Sequence, residues 1–235
     1  MNTSWQPAAL GLVGDLRNVF GDRLRSVVAY GPRVEGHDAT PLTCLALVSG
    51  LGVSDLESLA RQTSKWRRNH VATPLVLSDT EFRTSLDSFP LEYGEIIRAH
   101  ERVYGNDPFE GVAIAQPDLR RACETQIKSH LVHLREGFLE SGGQPTAVAD
   151  LVEDSAPAFT ALLRHVAWLS GDQTKERRAA TLAGARAAGI SDAVVADMIS
   201  LEHRQDVRTA DPARLFPDYI GAVEQLARAV DAWRV

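Results

Sequence analysis

The sequence predicts an α+β protein: a mixed sheet with flanking helices in the first half, then an all-helical bundle. Two observations carry this. Short β-branched apolar runs closed by Gly or Pro, the signature of strands, occur only before about residue 104. From residue 116 onward the apolar residues recur at spacings of three and four, and no strand signal returns. With 235 residues, 44% hydrophobic and 24% charged, the chain can bury substantial cores. The expected division is 1–114 for the sheet domain and 115–235 for the bundle.

Residues 7–20 form the first expected helix, with Leu10, Val13, Leu16 and Phe20 on one face, Pro7 in its first turn and Gly21 at its stop. Leu24–Tyr30 is a buried-strand signal ended by Gly31-Pro32. A polar, turn-rich loop leads to a second apolar run, Leu42–Val48. Ser54 can cap a helix reaching Asn69, with Asp55 and Glu57 early and Lys65, Arg67 and Arg68 late, the order the helix dipole favours. Val71–Leu77 is a third strand, placed at an edge or bulge by Pro74. Ser78 and Glu81 make a capping box for a short helix. Ile96–Tyr104 fits strand or helix, and Gly105-Asn106-Asp107-Pro108 is a turn.

In the second half, Leu119, Cys123, Ile127, Leu131, Leu134 and Phe138 predict a long helix ended by Gly142-Gly143. Further helices are expected over about 146–169, 174–188, 191–202 and 217–233.

Composition narrows the function classes. The formal net charge is -6, which disfavours broad nucleic-acid binding. Cys44 and Cys123 fall in a strand and a helix and read as buried apolar residues. The first residues lack the basic-then-apolar order of a signal peptide, and no apolar run nears the roughly 20 residues that span a bilayer. A cytoplasmic protein without a membrane partner is expected.

One stretch is informative about ancestry. Tyr30-Gly31-Pro32-Arg33-Val34-Glu35-Gly36 is followed, after a short spacer, by Leu42-Thr43-Cys44-Leu45-Ala46-Leu47-Val48. It resembles the opening hairpin of polymerase-β-like nucleotidyltransferases, in which a Gly-Ser turn precedes an Asp-x-Asp strand. The helix before it, the helix and strand after it and the C-terminal helical half are also similar to antibiotic nucleotidyltransferases. The resemblance implies ligand-binding roles for Gly31, Arg33, Gly36 and Thr43. It also shows a departure. The family's serine is Pro32, and its paired carboxylates, which hold metal ions on a nucleoside triphosphate, fall at Thr43 and Leu45. Residues two apart on a strand share a face, so the family's pair acts from one side. Thr43 offers one neutral oxygen and Leu45 none. Glu35, Asp38 and Asp79 are the acids from which a relocated cluster could be built, against the plainer reading of solvated charges.

Glu124 is where the resemblance would place a carboxylate facing an acceptor substrate; with Lys128 it also forms a favourable i,i+4 pair. His130, His133 and Glu136 have metal-ligand spacing on a helix, against a polar flank of the apolar stripe. Lys65, Trp66, Arg67, Arg68 and His70 form a basic, aromatic cluster, against a helix C-terminus rich in cations. The Arg-then-His spacing of nucleotidyltransferase-associated ribonuclease toxins is absent from the helical half. The leading expectation is a degenerate nucleotidyltransferase-like protein acting by binding a nucleotide or a protein, without cofactor. The alternatives are an active transferase, which would need magnesium, on a small hydroxylated acceptor such as an antibiotic, and an antitoxin-like or structural partner. By fold analogy a homodimer is also expected.

Overall fold

The first apolar stripe folds as a helix, but with a different face inward. In α1 (Gln6–Phe20) the buried apolar side chains are Ala9, Leu12, Val13, Leu16 and Phe20, while Leu10 is 61% exposed. At 3.6 residues per turn, Leu12 shares the arc of Val13 and Leu16 and Leu10 falls outside it. This is a computed structural model that describes residues 4–36, 40–202 and 212–234. The chain forms two units, Met1–Ile114 and Ala115–Val235.

In the first unit, α1 leads through a 3₁₀ turn, Gly21–Arg23, into β1 (Leu24–Tyr30), and the chain returns as β2 (Thr43–Val48). Two helices follow, α2 (Val53–Ala60) and α3 (Thr63–Arg68), where the sequence suggests one. The break is a tight turn in which Gln62 N–H donates to Leu59 O at 2.8 Å and Lys65 N–H to Gln62 O at 2.9 Å. It leaves Trp66 3% exposed in the core, its indole N–H donating to Asp15 Oδ2 at 2.9 Å. The N-cap is Gly52, not Ser54: Asp55 accepts from Gly52 N–H at 3.0 Å and pairs with Arg23 at 2.7 Å.

The third strand, β3 (Leu75–Ser78), starts after Pro74, which has no N–H for a ladder; Val71 makes only an isolated bridge to Leu42. Helix α4 (Asp79–Thr84) has the predicted capping box, Glu81 N–H to Ser78 Oγ at 3.1 Å and Ser78 N–H to Glu81 Oε2 at 2.7 Å. The ambiguous stretch divides into α5 (Pro90–Arg98) and β4 (His100–Gly105).

The sheet order is β3-β2-β1-β4, with β1 antiparallel to both β2 and β4, and β2 parallel to β3. Alternation along the strands separates two cores. Val27, Ala29, Cys44, Ala46 and Val48 pack with α1 and Trp66. Val28, Leu45 and Leu47 pack with Phe82, Tyr93, Ile96 and Phe109.

The second unit contains α6 (Gln116–Glu140), α7 (Pro145–Leu169), α8 (Arg177–Ala187), α9 (Asp192–Glu202) and α10 (Pro212–Ala232). The last begins earlier than the expected 217, with Pro217 inside it. Helix α7 has buried residues on all sides of its second half, from Phe159 to Leu169, as a helix surrounded by neighbours must. Helix α8 approaches it backbone to backbone: a Cβ on Gly184 would fall 1.8 Å from Leu163 O. No helix among the described residues is long and apolar enough to cross a membrane.

Candidate functional site at the β1–β2 hairpin

The hairpin turn is built on two glycines with positive φ, Gly31 at +80° and Gly36 at +105°. That region strongly favours glycine over residues with a Cβ. Gly31 O accepts from the N–H groups of Val34 at 3.0 Å and Glu35 at 3.3 Å, and Gly36 N–H donates to Arg33 O at 3.3 Å. A Cβ on Gly31 would lie 2.9 Å from Thr43 Oγ1, so this glycine also admits the neighbouring strand.

The two positions where the resemblance places carboxylates are occupied otherwise. Thr43 Oγ1 donates to Tyr30 O at 2.5 Å, closing the ladder's last rung. Leu45 is 1% exposed and packs in the core with Val28, Leu47, Phe82, Tyr93, Ile96 and Phe109. The Leu45 side chain is therefore covered by α4, α5 and Phe109. One engaged neutral hydroxyl and an apolar core do not fit a divalent cation. No group of three or more His, Cys, Asp and Glu side chains suited to a metal occurs among the described residues. Cys44, between the two positions, points to the other core, and burial pushes its thiol up to about 12, so it supplies no thiolate at neutral pH.

Arg33 clips the turn to the segment before β3. Its Nη1 donates to Thr40 O at 3.2 Å and His70 O at 3.4 Å, while its Nε is buried without a partner. His70, the one non-glycine residue with positive φ among those described, stands at +54° and presents that carbonyl, which also accepts from Leu42 N–H at 2.8 Å. A cavity of about 400 Å³ opens here between α1 and α3, lined by Arg33, Lys65, Asn69 and His70 among others. The predicted basic cluster is divided within it. Lys65 Nζ is held by Asp15 Oδ1 at 2.6 Å and Trp66 belongs to the core, leaving Arg67 and Arg68 exposed.

Of the other candidate acids, Glu35 is exposed in the turn, and Asp38 lies outside the described residues. Asp79 is the first residue of α4, just past Ser78, which is in register with Val48. It stands at the far end of β2 from Thr43, about 17 Å away at ~3.3 Å per residue. The hairpin and Asp79 are thus not brought together.

In the helical unit, Glu124 belongs to a network that ties α6 to α10. Its oxygens meet Lys128 Nζ at 2.6 Å and Arg120 Nη1 at 3.1 Å, Lys128 reaches Asp231 at 2.8 Å, and Arg120 Nε donates to Trp233 O at 2.9 Å. His133 and Glu136 meet at 3.3 Å on the surface. His130 instead faces inward, 2.8 Å from Tyr219 Oη, which donates to Ser155 Oγ at 3.1 Å. Burial, and secondarily the charge of His133, hold its imidazole down at about 4. The two histidines therefore serve different environments rather than one metal. What sequence reasoning missed is the cap over Leu45: Tyr93 and Ile96 come from α5, of which the sequence offers only the last residues, from Ile96, as helix or strand.

No known family's sequence pattern matches the chain. No curated protein matches it by sequence. Among solved structures it is similar to the spectinomycin adenyltransferase AAD(9) from Enterococcus faecialis, determined with ATP and spectinomycin: the TM-score is 0.59 at 15% identity, over 96% of this chain and 99% of that one. At such identity the likeness is one of architecture, and the chain has a nucleotidyltransferase-like fold.

Proposed function

We propose that this protein is a catalytically degenerate relative of the nucleotidyltransferases that acts by binding, with a nucleotide or a protein as its ligand. The observation that carries the reading is Leu45. Nucleotidyl transfer by this fold requires a carboxylate pair to hold metal ions against the triphosphate while the acceptor hydroxyl attacks the α-phosphorus. Here the second carboxylate position is the centre of an apolar core, and the first holds a hydroxyl already donated to Tyr30 O. Pro32 supplies neither the hydroxyl nor the N–H with which the family's serine meets phosphate. The glycine turn remains, and with Arg33 it forms the part of the hairpin that could still receive a ligand. The alternative, an active transferase using Glu35, Asp38 and Asp79, is disfavoured by the placement of Glu35 and Asp79 at opposite ends of β2, Asp38 lying outside the described residues.

The test combines two measurements on the full chain. Pyrophosphate release is followed with ATP, GTP, CTP or UTP, magnesium and hydroxylated acceptors, spectinomycin included because it accompanies the fold neighbour. Calorimetry is run with the same nucleotides, with and without magnesium. The expected result is no release, and any nucleotide binding independent of magnesium. Turnover with any acceptor overturns the proposal. A stable protein partner recovered without nucleotide binding selects the protein ligand.

A further inference from the structure

The far end of the sheet, away from the glycine turn, holds a second concavity of about 310 Å³. Its walls come from the start of β1, from α4 and from the turn after β4. Neighbouring strand residues point to opposite faces, so Arg25 and Ser26 should not line one pocket. They do because the β1–β2 register slips between Leu24 and Ser26, a β-bulge with Arg25 as the extra residue. Bulges re-aim side chains in this way and are frequent beside binding sites. Gly105 makes the bulge possible: its φ is +74°, and a Cβ there would fall 2.0 Å from Arg25 O.

Ser26 is 4% exposed, and its hydroxyl is buried without a hydrogen-bond partner. Buried polar groups in folded proteins are seldom left so, and each exception asks for a reason. Beside it stand Arg25, Asp79, Arg83 and Asn106, whose side chains make no ion pair or hydrogen bond among the described residues. The cavity near Arg33 differs in this respect, since Lys65 is held by Asp15 and Arg33 by two carbonyls.

We infer that this pocket binds the phosphate monoester of a small hydroxylated molecule. The guanidiniums of Arg25 and Arg83 take the phosphate, for which their planar forks are matched. The Ser26 hydroxyl joins them by turning between staggered χ1 positions. Asp79 would repel a bare oxyanion; toward an ester it becomes the acceptor for a hydroxyl of the ligand's body, with Asn106 beside it. The volume sits at the lower limit of small-molecule pockets, roughly 300 Å³, as suits a small ester rather than a nucleoside triphosphate. The site lies at the opposite end of β2 from Thr43 and does not depend on whether the hairpin turns nucleotide over.

The test is a titration of the isotope-labelled full chain at low salt with glycerol 3-phosphate, inorganic phosphate and glycerol, read by amide chemical shifts. Glycerol 3-phosphate is expected to saturate shifts at residues 24–26, 79–83 and 105–106. Inorganic phosphate is expected to bind about tenfold more weakly and glycerol not at all. Arg83→Gln and Arg25→Gln, at exposed positions where folding is checked by thermal melting, each weaken the ester about tenfold or more. Asp79→Asn weakens the ester but strengthens inorganic phosphate, a split that a purely structural role does not produce. Equal affinity for ester and phosphate overturns the ester assignment. Shifts that never saturate, map elsewhere or survive the arginine substitutions overturn the site.

Discussion

The two ends of β2 differ in what their polar groups are doing. At the turn end, Thr43 Oγ1 is donated to Tyr30 O, and Arg33 is donated to Thr40 O and His70 O. At the far end, Ser26 is buried without a partner and Arg25, Asp79 and Arg83 are unengaged among the described residues. At the end where the family resemblance locates chemistry the side chains are engaged, Arg33 Nε alone being buried without a partner, whereas at the end it says nothing about, several side chains are unengaged. Glycine turns and strand register are requirements of folding as well as of catalysis, so a hairpin's backbone does not by itself reveal its chemistry.

Four experiments sharpen or break this comparison. The largest effect is expected for Leu45→Asp. It buries a carboxylate among Val28, Phe82 and Tyr93, and unfolding in urea should show a loss of at least about 4 kcal/mol. A folded Leu45→Asp variant that binds magnesium would show the turn end to be a latent metal site and break the comparison. Next is Asp15→Ala, which removes the acceptor of both Trp66 Nε1–H and Lys65 beneath the turn-end cavity. It should cost about 2 kcal/mol, measured the same way. A third test sets one hydroxyl against the other. Thr43→Val should destabilise by about 1 kcal/mol, while Ser26→Ala should be neutral or stabilising, because it deletes a buried group with no partner. Equal losses at both positions would show that Ser26 is satisfied in solution.

The smallest effect concerns pH. Asp55, between α2 and Arg23 at the start of β1, is held down at about 2 by its hydrogen bond from Arg23 and then by Gly52 N–H. Its folded pKa lies below its unfolded one, so the stabilisation is fully present above about pH 4 and is lost as pH falls toward 2. Melting curves of Asp55→Asn should be less steeply acid-sensitive across that window than those of the parent chain. Identical curves would mean that the pair, whose arginine is exposed, adds nothing.

The fold was largely legible because its signals are local. The β1–turn–β2 hairpin, the capping box at Ser78 and the long stripe of α6 are each set by residues a few positions apart. What was not legible depends on tertiary choices. Nothing within 54–69 says that the helix breaks at Gln62; the break suits Trp66, whose partner Asp15 lies in α1. Leu10 and Leu12 are equivalent by composition, and only the sheet decides which turns inward. In the candidate site, the absence of carboxylates at Thr43 and Leu45 could be read directly, but the cap over Leu45 could not, since the sequence predicts no helix over 90–95 and the run from Ile96 fits helix or strand. The bulge at Arg25 leaves no mark in the sequence beyond an ordinary arginine before a serine.

Leu45 also bears on how such a chain can change over generations. A carboxylate at position 45 of β2 is costly as a first substitution. Aspartate at position 45 is ruinous while Phe82, Tyr93 and Ile96 enclose it, and withdrawing those side chains first would empty the core that holds α4 and α5 to the sheet. A path to a carboxylate pair on β2 that begins at position 45 therefore passes through a poorly folded intermediate. The apolar cap thus makes position 45 resistant to change: the side chains that enclose it favour an apolar residue there whatever the hairpin binds.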